Sequence, residues 1–259
     1  MRCVMTRTVL TLFVVFACLA GQDVSEQQAK LERIRAVNLR RAATLPSFVA
    51  DEIAVTYRSK HTDPPQWEHF YTSESEIAVR GADFTRQNVR LNGKPWTNPD
   101  FPNFTWSVDF GAELKPLFDP KCKTAIVFEK NVEALGKPAL AYTFRAHGDG
   151  CFGAFTIKNG TFSFKKTYRP PMTGRFVVED PGEAVVQFEE EAHEFPKRFG
   201  ADPLQETIKW DYVKIGESTF LLPVGEEIFG GFVRENLYHV IVEYKNHRHF
   251  EASTNVSFH

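Results

Sequence analysis

Beyond Pro46, apolar residues recur at every second position over much of the chain, and this feature constrains the fold more than any other. Leu140, Tyr142 and Phe144 alternate with Ala141, Thr143 and Arg145. Ile208, Trp210 and Tyr212 alternate with Lys209 and Asp211, and Val240, Val242 and Tyr244 with His239, Glu243 and Lys245. Phe250, Ala252, Thr254, Val256 and Phe258 do the same against Glu251, Ser253, Asn255 and Ser257. A period of two gives a strand one buried and one wet face, the antiparallel pattern. Asn92-Gly93 follows Val89-Arg90-Leu91, and Asn159-Gly160 separates Phe155-Thr156-Ile157 from Phe162-Ser163-Phe164. Both dipeptides accept the positive φ angles of a type I′ hairpin turn. About ten such strands, without regular helices between them, predict a mainly β (α+β) chain. The expected architecture is a single curved antiparallel sheet or incomplete β-barrel, packed against an N-terminal helix and a short central helix.

Those two helices are the exceptions to the alternation. Ser25-Glu26-Gln27-Gln28 reads as a capping box, followed by Leu31, Ile34 and Val37 at helical spacing, with Pro46 closing a helix over 25–43. Lys30, Arg33, Arg35, Arg40 and Arg41 cover its other surface. A solvated face is the favoured reading of that basic surface, with anionic lipid or a partner as the alternative. Phe110, Leu114, Leu117 and Phe118 then mark a second helix, over 107–118, that Pro116 keeps short. Neither half of the chain is large enough to close a sheet alone, so residues 21–259 are expected to form one domain.

The chain opens on an address. Arg2 and Arg7 precede an apolar run from Val9 to Ala20, with small residues at Ala17, Ala20 and Gly21, which describes a signal peptide over 1–20. The run is shorter than the roughly 20 apolar residues of a spanning helix, and no later segment qualifies. Cleavage after Ala20 takes the net charge from −2 to −4. Lipidation at Cys18 is the rival reading, although Phe16 suits a lipobox poorly. Export places the product in the periplasm or at the envelope, where disulfides persist. Only Cys122 and Cys151 survive cleavage, and we expect them to pair. Cys122 is expected to open a strand ending near Glu129, and Cys151 one leading into Asn159-Gly160. With the strand 139–146 running back between them, both cysteines lie at one end of the sheet. A bridge across that neighbour needs a bend, because next-but-one strands lie about 9–10 Å apart.

Composition adds exclusions. Thirty-one Lys and Arg against 33 Asp and Glu leave no clustered basic excess for nucleic acid. Phenylalanine is abundant, with 24 of 259 residues, enough for a large core and for an apolar ligand surface. No G-x-S-x-G, H-E-x-x-H, Walker-type or dinucleotide-binding glycine motif occurs, so no cofactor is implied. His247 and His249 share a strand face but lack a third ligand at fixed spacing, and edge histidines are the favoured reading. Glu189, Glu191 and His193 share another face, with Phe188 and Glu190 opposite; a wet surface is favoured over acid–base chemistry there. Asp119-Pro120-Lys121 reads as a helix-ending turn. Asn103, Asn159 and Asn255 begin glycan-acceptor triplets.

Several short motifs occur in a recognisable order: Leu45-Pro46-Ser47-Phe48, Asn92-Gly93-Lys94-Pro95, Phe110-Gly111 and Leu117-Phe118-Asp119-Pro120. Trp210-Asp211-Tyr212-Val213-Lys214-Ile215-Gly216, Phe220-Leu221-Leu222-Pro223-Val224 and Tyr244-Lys245-Asn246 follow. The series resembles a group of exported bacterial proteins of uncharacterised function. That group commonly carries a cysteine after the Leu-Pro-x-Phe stretch, where this chain has Val49-Ala50-Asp51. Asp211-Tyr212 through Leu222-Pro223 is similar, more distantly, to the LolA/LolB-type lipoprotein-carrier superfamily. That resemblance implies an incomplete antiparallel barrel around helices, with an apolar cavity for acyl chains. The leading expectation is therefore a non-enzymatic envelope protein binding a lipid or other apolar molecule. Its expected ligand residues are Leu140, Tyr142, Phe144, Trp210, Tyr212, Val242 and Tyr244. An envelope scaffold that binds a protein partner around a filled core is the first alternative, and a hydrolase with scattered acids the second.

Overall fold

The computed structural model describes residues 7–60, 64–81, 83–97, 114–148, 151–152, 155–157, 166–195, 201–232 and 236–250; for 7–24, 155–157, 166–168, 201–203 and 231–232 it describes the backbone. Four strands come first: β1 (Phe48–Lys60), β2 (Glu68–Arg80), β3 (Asp83–Leu91) and β4 (Lys94–Pro95). The middle of the chain supplies β5 (Ala125–Ala134), β6 (Lys137–Ala146), β7 (Phe155–Ile157) and β8 (Lys166–Tyr168). Then follow β9 (Met172–Glu179), β10 (Val185–Ala192), β11 (Ala201–Ile215), β12 (Ser218–Phe232) and β13 (Asn236–His249). Eleven of them build one antiparallel sheet in the order β4-β3-β2-β1-β13-β12-β11-β10-β9-β6-β5, and among the described residues β7 pairs with β8 alone. The sheet is two meanders joined where the first and last strands meet, Phe48 opposite His249 and Lys60 opposite Asn236. It is open, with β4 and β5 at its edges, the expected single, unclosed antiparallel sheet.

Local chemistry sets the turns. Asn92 and Gly93 take φ of 48° and 75° between β3 and β4, the type I′ geometry expected of that dipeptide. Leu135 and Gly136 do the same at 50° and 71°, carrying β5 on to Ala134, past its expected end near Glu129. The expected strand at 162–164, its Asn159-Gly160 turn, the strand beyond Phe250 and the three glycan triplets lie outside the described residues.

The first helix, α1 (Arg7–Ala43), is longer than expected at its start. Ser25 lies inside it rather than capping it, and Gln28 donates to Glu32 (2.9 Å) instead of reaching back. Leu31, Ile34 and Asn38 form its buried stripe, with Val37 half-buried beside them. Much of its basic surface is not merely solvated. Lys30 pairs with Asp180 (2.9 Å) and Arg33 with Glu183 (2.6 Å) in the turn joining β9 and β10, and Arg41 donates to the Val185 carbonyl (2.5 Å) at the start of β10. The described part of the second helix is α2 (Leu114–Phe118), whose Leu114, Leu117 and Phe118 are buried. Asp119 then caps a 3₁₀ turn over Pro120–Cys122 by accepting from the Lys121 N–H, as its helix-ending reading anticipates.

Cys122 and Cys151 are joined, with Cα atoms 5.4 Å apart. The bend anticipated for this bridge is not needed. Neither cysteine opens a strand: Cys122 ends the 3₁₀ turn before β5 and Cys151 lies beyond the end of β6 at Ala146; Ala125 lies opposite Arg145, so the bridge closes the adjacent ends of neighbouring strands. Among the described residues, no helix is long and apolar enough to cross a membrane.

Candidate ligand-binding face

Directly opposed residues in a sheet share a face, so register alone traces what each face presents. One row runs through ten strands: Phe128, Tyr142, Phe176, Phe188, Ile208, Glu226, Val242, Ala54, Ser73 and Leu91. This is the inner face, on which α1 and α2 pack: Ile34, Leu114, Leu117 and Phe118 join the core cluster of Tyr142, Phe176, Phe188 and Ile208. The row is apolar from β5 to β11 and turns polar at Glu226.

Beneath the helices the face is an aromatic core. Tyr142 stacks on Phe176 (5.2 Å between ring centroids), and Phe144 stacks on both Phe188 (5.4 Å) and Phe152 (5.7 Å). Phe118 meets Phe176 edge-on, and the Arg41 guanidinium lies 5.1 Å from the centre of the Trp210 ring. Gly174, opposite Phe144, makes the stacking possible, because a Cβ there would collide with that ring and with the Glu189 carbonyl. Burial lowers Arg41 to a pKa of about 10, against the opposing pull of Tyr212 and Glu179.

The other half of the face carries a polar strip. The Glu52 carboxylate, 2% exposed, accepts two bonds from Arg86 (2.8 and 3.0 Å) and one from Ser75 (2.9 Å). One residue across the ladder, Tyr244 donates to Glu226 (2.9 Å), itself 4% exposed. Glu206 lies close to Glu226 and stands opposite Glu190. Burial, reinforced by Glu206, raises the Glu226 pKa well above the ordinary carboxyl range. Burial also pushes the Tyr244 phenol up, helped by the charges of Glu226 and Glu52. Burial would lower Arg86, but its bonds to Glu52 outweigh that and raise it. The Ser73 hydroxyl, 2% exposed, has no hydrogen-bond partner among the described residues.

The expected ligand residues divide accordingly. Leu140, Tyr142, Phe144 and Trp210 lie in the aromatic half, and Val242 and Tyr244 in the half bearing the strip. Tyr212 does not join them. A register shift between Lys209 and Trp210 changes the phase of burial, so Ile215 becomes the next buried residue and Tyr212 is 46% exposed. Its hydroxyl donates to Glu179, and the Lys137 ammonium lies 5.1 Å from its ring centre. Burial and the Glu179 bond raise the Tyr212 pKa to about 12.

Sequence reasoning missed Glu52, Ser75, Arg86 and Glu226. Glu52 sits between Ala50 and Ala54 on an otherwise apolar alternation, and Arg86 two residues beyond Phe84. A charge at a core-facing position was the available signal. The histidine and acid clusters stay peripheral. His247 rests against Phe48 (5.5 Å) and meets the Pro223 carbonyl (3.1 Å), with burial lowering its pKa. His193 lies 3.4 Å from Glu191 and bonds Thr173 (2.5 Å) on the outer face. Among the described residues, no group of three or more His, Cys, Asp or Glu side chains could hold a metal ion.

No family model and no curated protein matches the chain. Among solved structures, a LolA superfamily protein from Nitrosomonas europaea aligns at 8% identity and a TM-score of 0.32, over 86% of this chain and 93% of that one. The Pseudomonas aeruginosa MucA/MucB complex aligns at 8% identity and a TM-score of 0.21, over 82% and 93%.

Proposed function

We propose that this chain is an exported, non-enzymatic envelope protein that binds an apolar or amphiphilic molecule of the lipid class on the inner face of its open sheet. One observation carries the reading: a single uninterrupted face combines a wide aromatic and aliphatic surface with one localised polar strip. An amphiphile has that division of chemistry, with an apolar body and a polar end. The basic start and apolar run of residues 1–20 support export, and a lipid anchor at Cys18 is the alternative route to the envelope.

A second reading is favoured by the ring stacking under α1. Phe144 is sandwiched between Phe152 and Phe188, as in a filled core, which suits a scaffold that meets a protein partner through its outer surface. Val127, 63% exposed on the edge strand β5, is an apolar group available for such contact. Native mass spectrometry of protein released gently from the envelope fraction separates the two. A co-purified species of lipid mass supports the carrier. A bare chain that also fails to bind the neutral dye Nile red supports the scaffold.

A further inference from the structure

The two outermost strands of the sheet, β4 and β5, are unlike. β4 is two residues long and ends on Pro95, which has no N–H to offer, so that edge is blunted. β5 is ten residues long and, among the described residues, pairs with β6 alone. Seven of the ten are exposed, Val127 at 63% and Phe128 at 36% among them. A long exposed edge with apolar side chains is a template for another strand. Local geometry decides which backbone groups it offers. Leu135-Gly136 is a two-residue type I′ turn, so Ala134 and Lys137 exchange both of their backbone bonds. Alternation then turns the N–H and C=O of Glu133 and Asn131 to the open side. The register shift between Phe128 and Lys130 leaves Glu129 as an extra residue, and beyond it Phe128 and Ile126 face outward.

We propose that β5 is a self-association edge, through which two copies of this chain join antiparallel about a two-fold axis into one continuous sheet. The inference goes beyond the carrier reading and applies to a filled core as well. Placing Phe128 opposite Asn131 of a second copy brings outward-facing backbone groups together. The same register sets Ile126 opposite Glu133, Val127 opposite Val132 and Glu129 opposite Lys130. Val127 and Val132 share the outer face with Thr143 and Ala139, their partners on β6, so they meet across the joint. The extra residues at Glu129 coincide about the axis, and neither strand falls out of step. A lysine at an edge ordinarily deters pairing, and Lys130 is 60% exposed. Here it meets the carboxylate of Glu129, which Arg175 holds at 2.8 Å, and the axis makes two such opposite-charge pairs.

The test is sedimentation velocity on residues 21–259 over a concentration series at low salt. A joint of two short strands falls below the roughly 1,200 Å² of stable complexes, so the expected dimer is weak, with a Kd of about 10–100 μM. K130E leaves only carboxylates at the centre of the joint and E129K only ammonium groups. Each variant alone is expected to dimerise about tenfold more weakly than the wild type. An equimolar mixture of the two restores association, because every carboxylate then faces an ammonium. N131P removes an outward N–H and is expected to abolish the dimer, with circular dichroism checking its fold. Should N131P misfold, the charge pair still decides. A wild type that stays monomeric throughout the series overturns the proposal. So does a dimer that the charge variants leave intact, or one that their mixture fails to restore.

Discussion

Tyr244 on β13 donates its hydroxyl hydrogen to Glu226 Oε2 on β12 at 2.9 Å, and both side chains are buried. On the inner face Glu226 stands opposite Val242 and Ile228 opposite Val240, so the bond is a polar contact among apolar neighbours. Tyr244→Phe keeps the ring and removes the donor, leaving one oxygen of a buried carboxyl unsatisfied. The expected cost is about 1–3 kcal/mol in urea unfolding with an unchanged denaturant slope. A loss below a few tenths would mean that water reaches Glu226.

The same carboxyl makes stability depend on pH. Its folded pKa is raised above the ordinary 4.5, so the folded state holds the proton more tightly than the unfolded chain. Its contribution is therefore complete below the unfolded value and falls as pH rises from there through the folded one. Burial first, then Glu206 and Glu52, reinforce the proton's retention; the bond from Tyr244 opposes it, and Arg86, bonded to Glu52, is the nearby cation. Glu226→Gln cannot ionise. Melting temperatures recorded from pH 5 upward should decline more steeply for the wild type than for the variant; parallel profiles would remove Glu226 as the source.

Much of this architecture was legible because a half-buried strand writes its environment as a period of two. The alternation alone assigns Leu140, Tyr142, Phe144 and Trp210 to buried strand faces, and register places them on the inner face. Asn92-Gly93 announced its turn through the φ angles it tolerates. What stayed hidden depends on contacts distant in sequence. Nothing near Phe48 signals that it will lie beside His249, and Tyr212 obeys the alternation locally until a register shift breaks its phase. Glu226 looks solvent-bound by type, and only its neighbours Ile208 and Val242 reveal the side it faces. The basic residues of α1 read as a wet surface because their acidic partners, Asp180 and Glu183, are far away along the chain.

Asn38 is the hinge pin of that docking. It is fully buried, donates to the Ile34 and Glu183 carbonyls (2.8 and 2.9 Å), and accepts from the Val185 N–H (2.9 Å). Asn38→Ala leaves a backbone donor and an acceptor enclosed without partners, at about 2–4 kcal/mol. Arg33→Ala, by contrast, breaks an exposed pair worth about 1 kcal/mol or less. Chemical denaturation of the two variants should rank them in that order, and equal effects would place the docking energy elsewhere.

Gly174 tests the aromatic core. Gly174→Ala sets a methyl against the Phe144 ring and the Glu189 carbonyl, and strand β10 cannot retreat without opening its ladder. Overpacking of this kind costs about 1–3 kcal/mol or more. Near-ultraviolet circular dichroism should report disturbed aromatic packing; an unaltered spectrum with unaltered stability would show that β6 and β9 yield freely.

The Cys122–Cys151 bridge closes a segment of 29 residues, and the chain-entropy relation gives it about 3–4 kcal/mol of stabilisation. Its position adds a structural effect. Cys122 ends the 3₁₀ turn after α2, while Cys151 precedes Phe152, whose ring stacks on Phe144. Reduction therefore loosens both α2 and the outermost ring of the stack, next to the exposed edge strand β5. Oxidised protein denatured without reductant should show no free thiol after loss of residues 1–20. Cys122→Ser with Cys151→Ser should lower the urea midpoint by the amount that reductant lowers it in the wild type. A double variant as stable as the oxidised chain would show that the adjacent ends of β5 and β6 hold together without the bond.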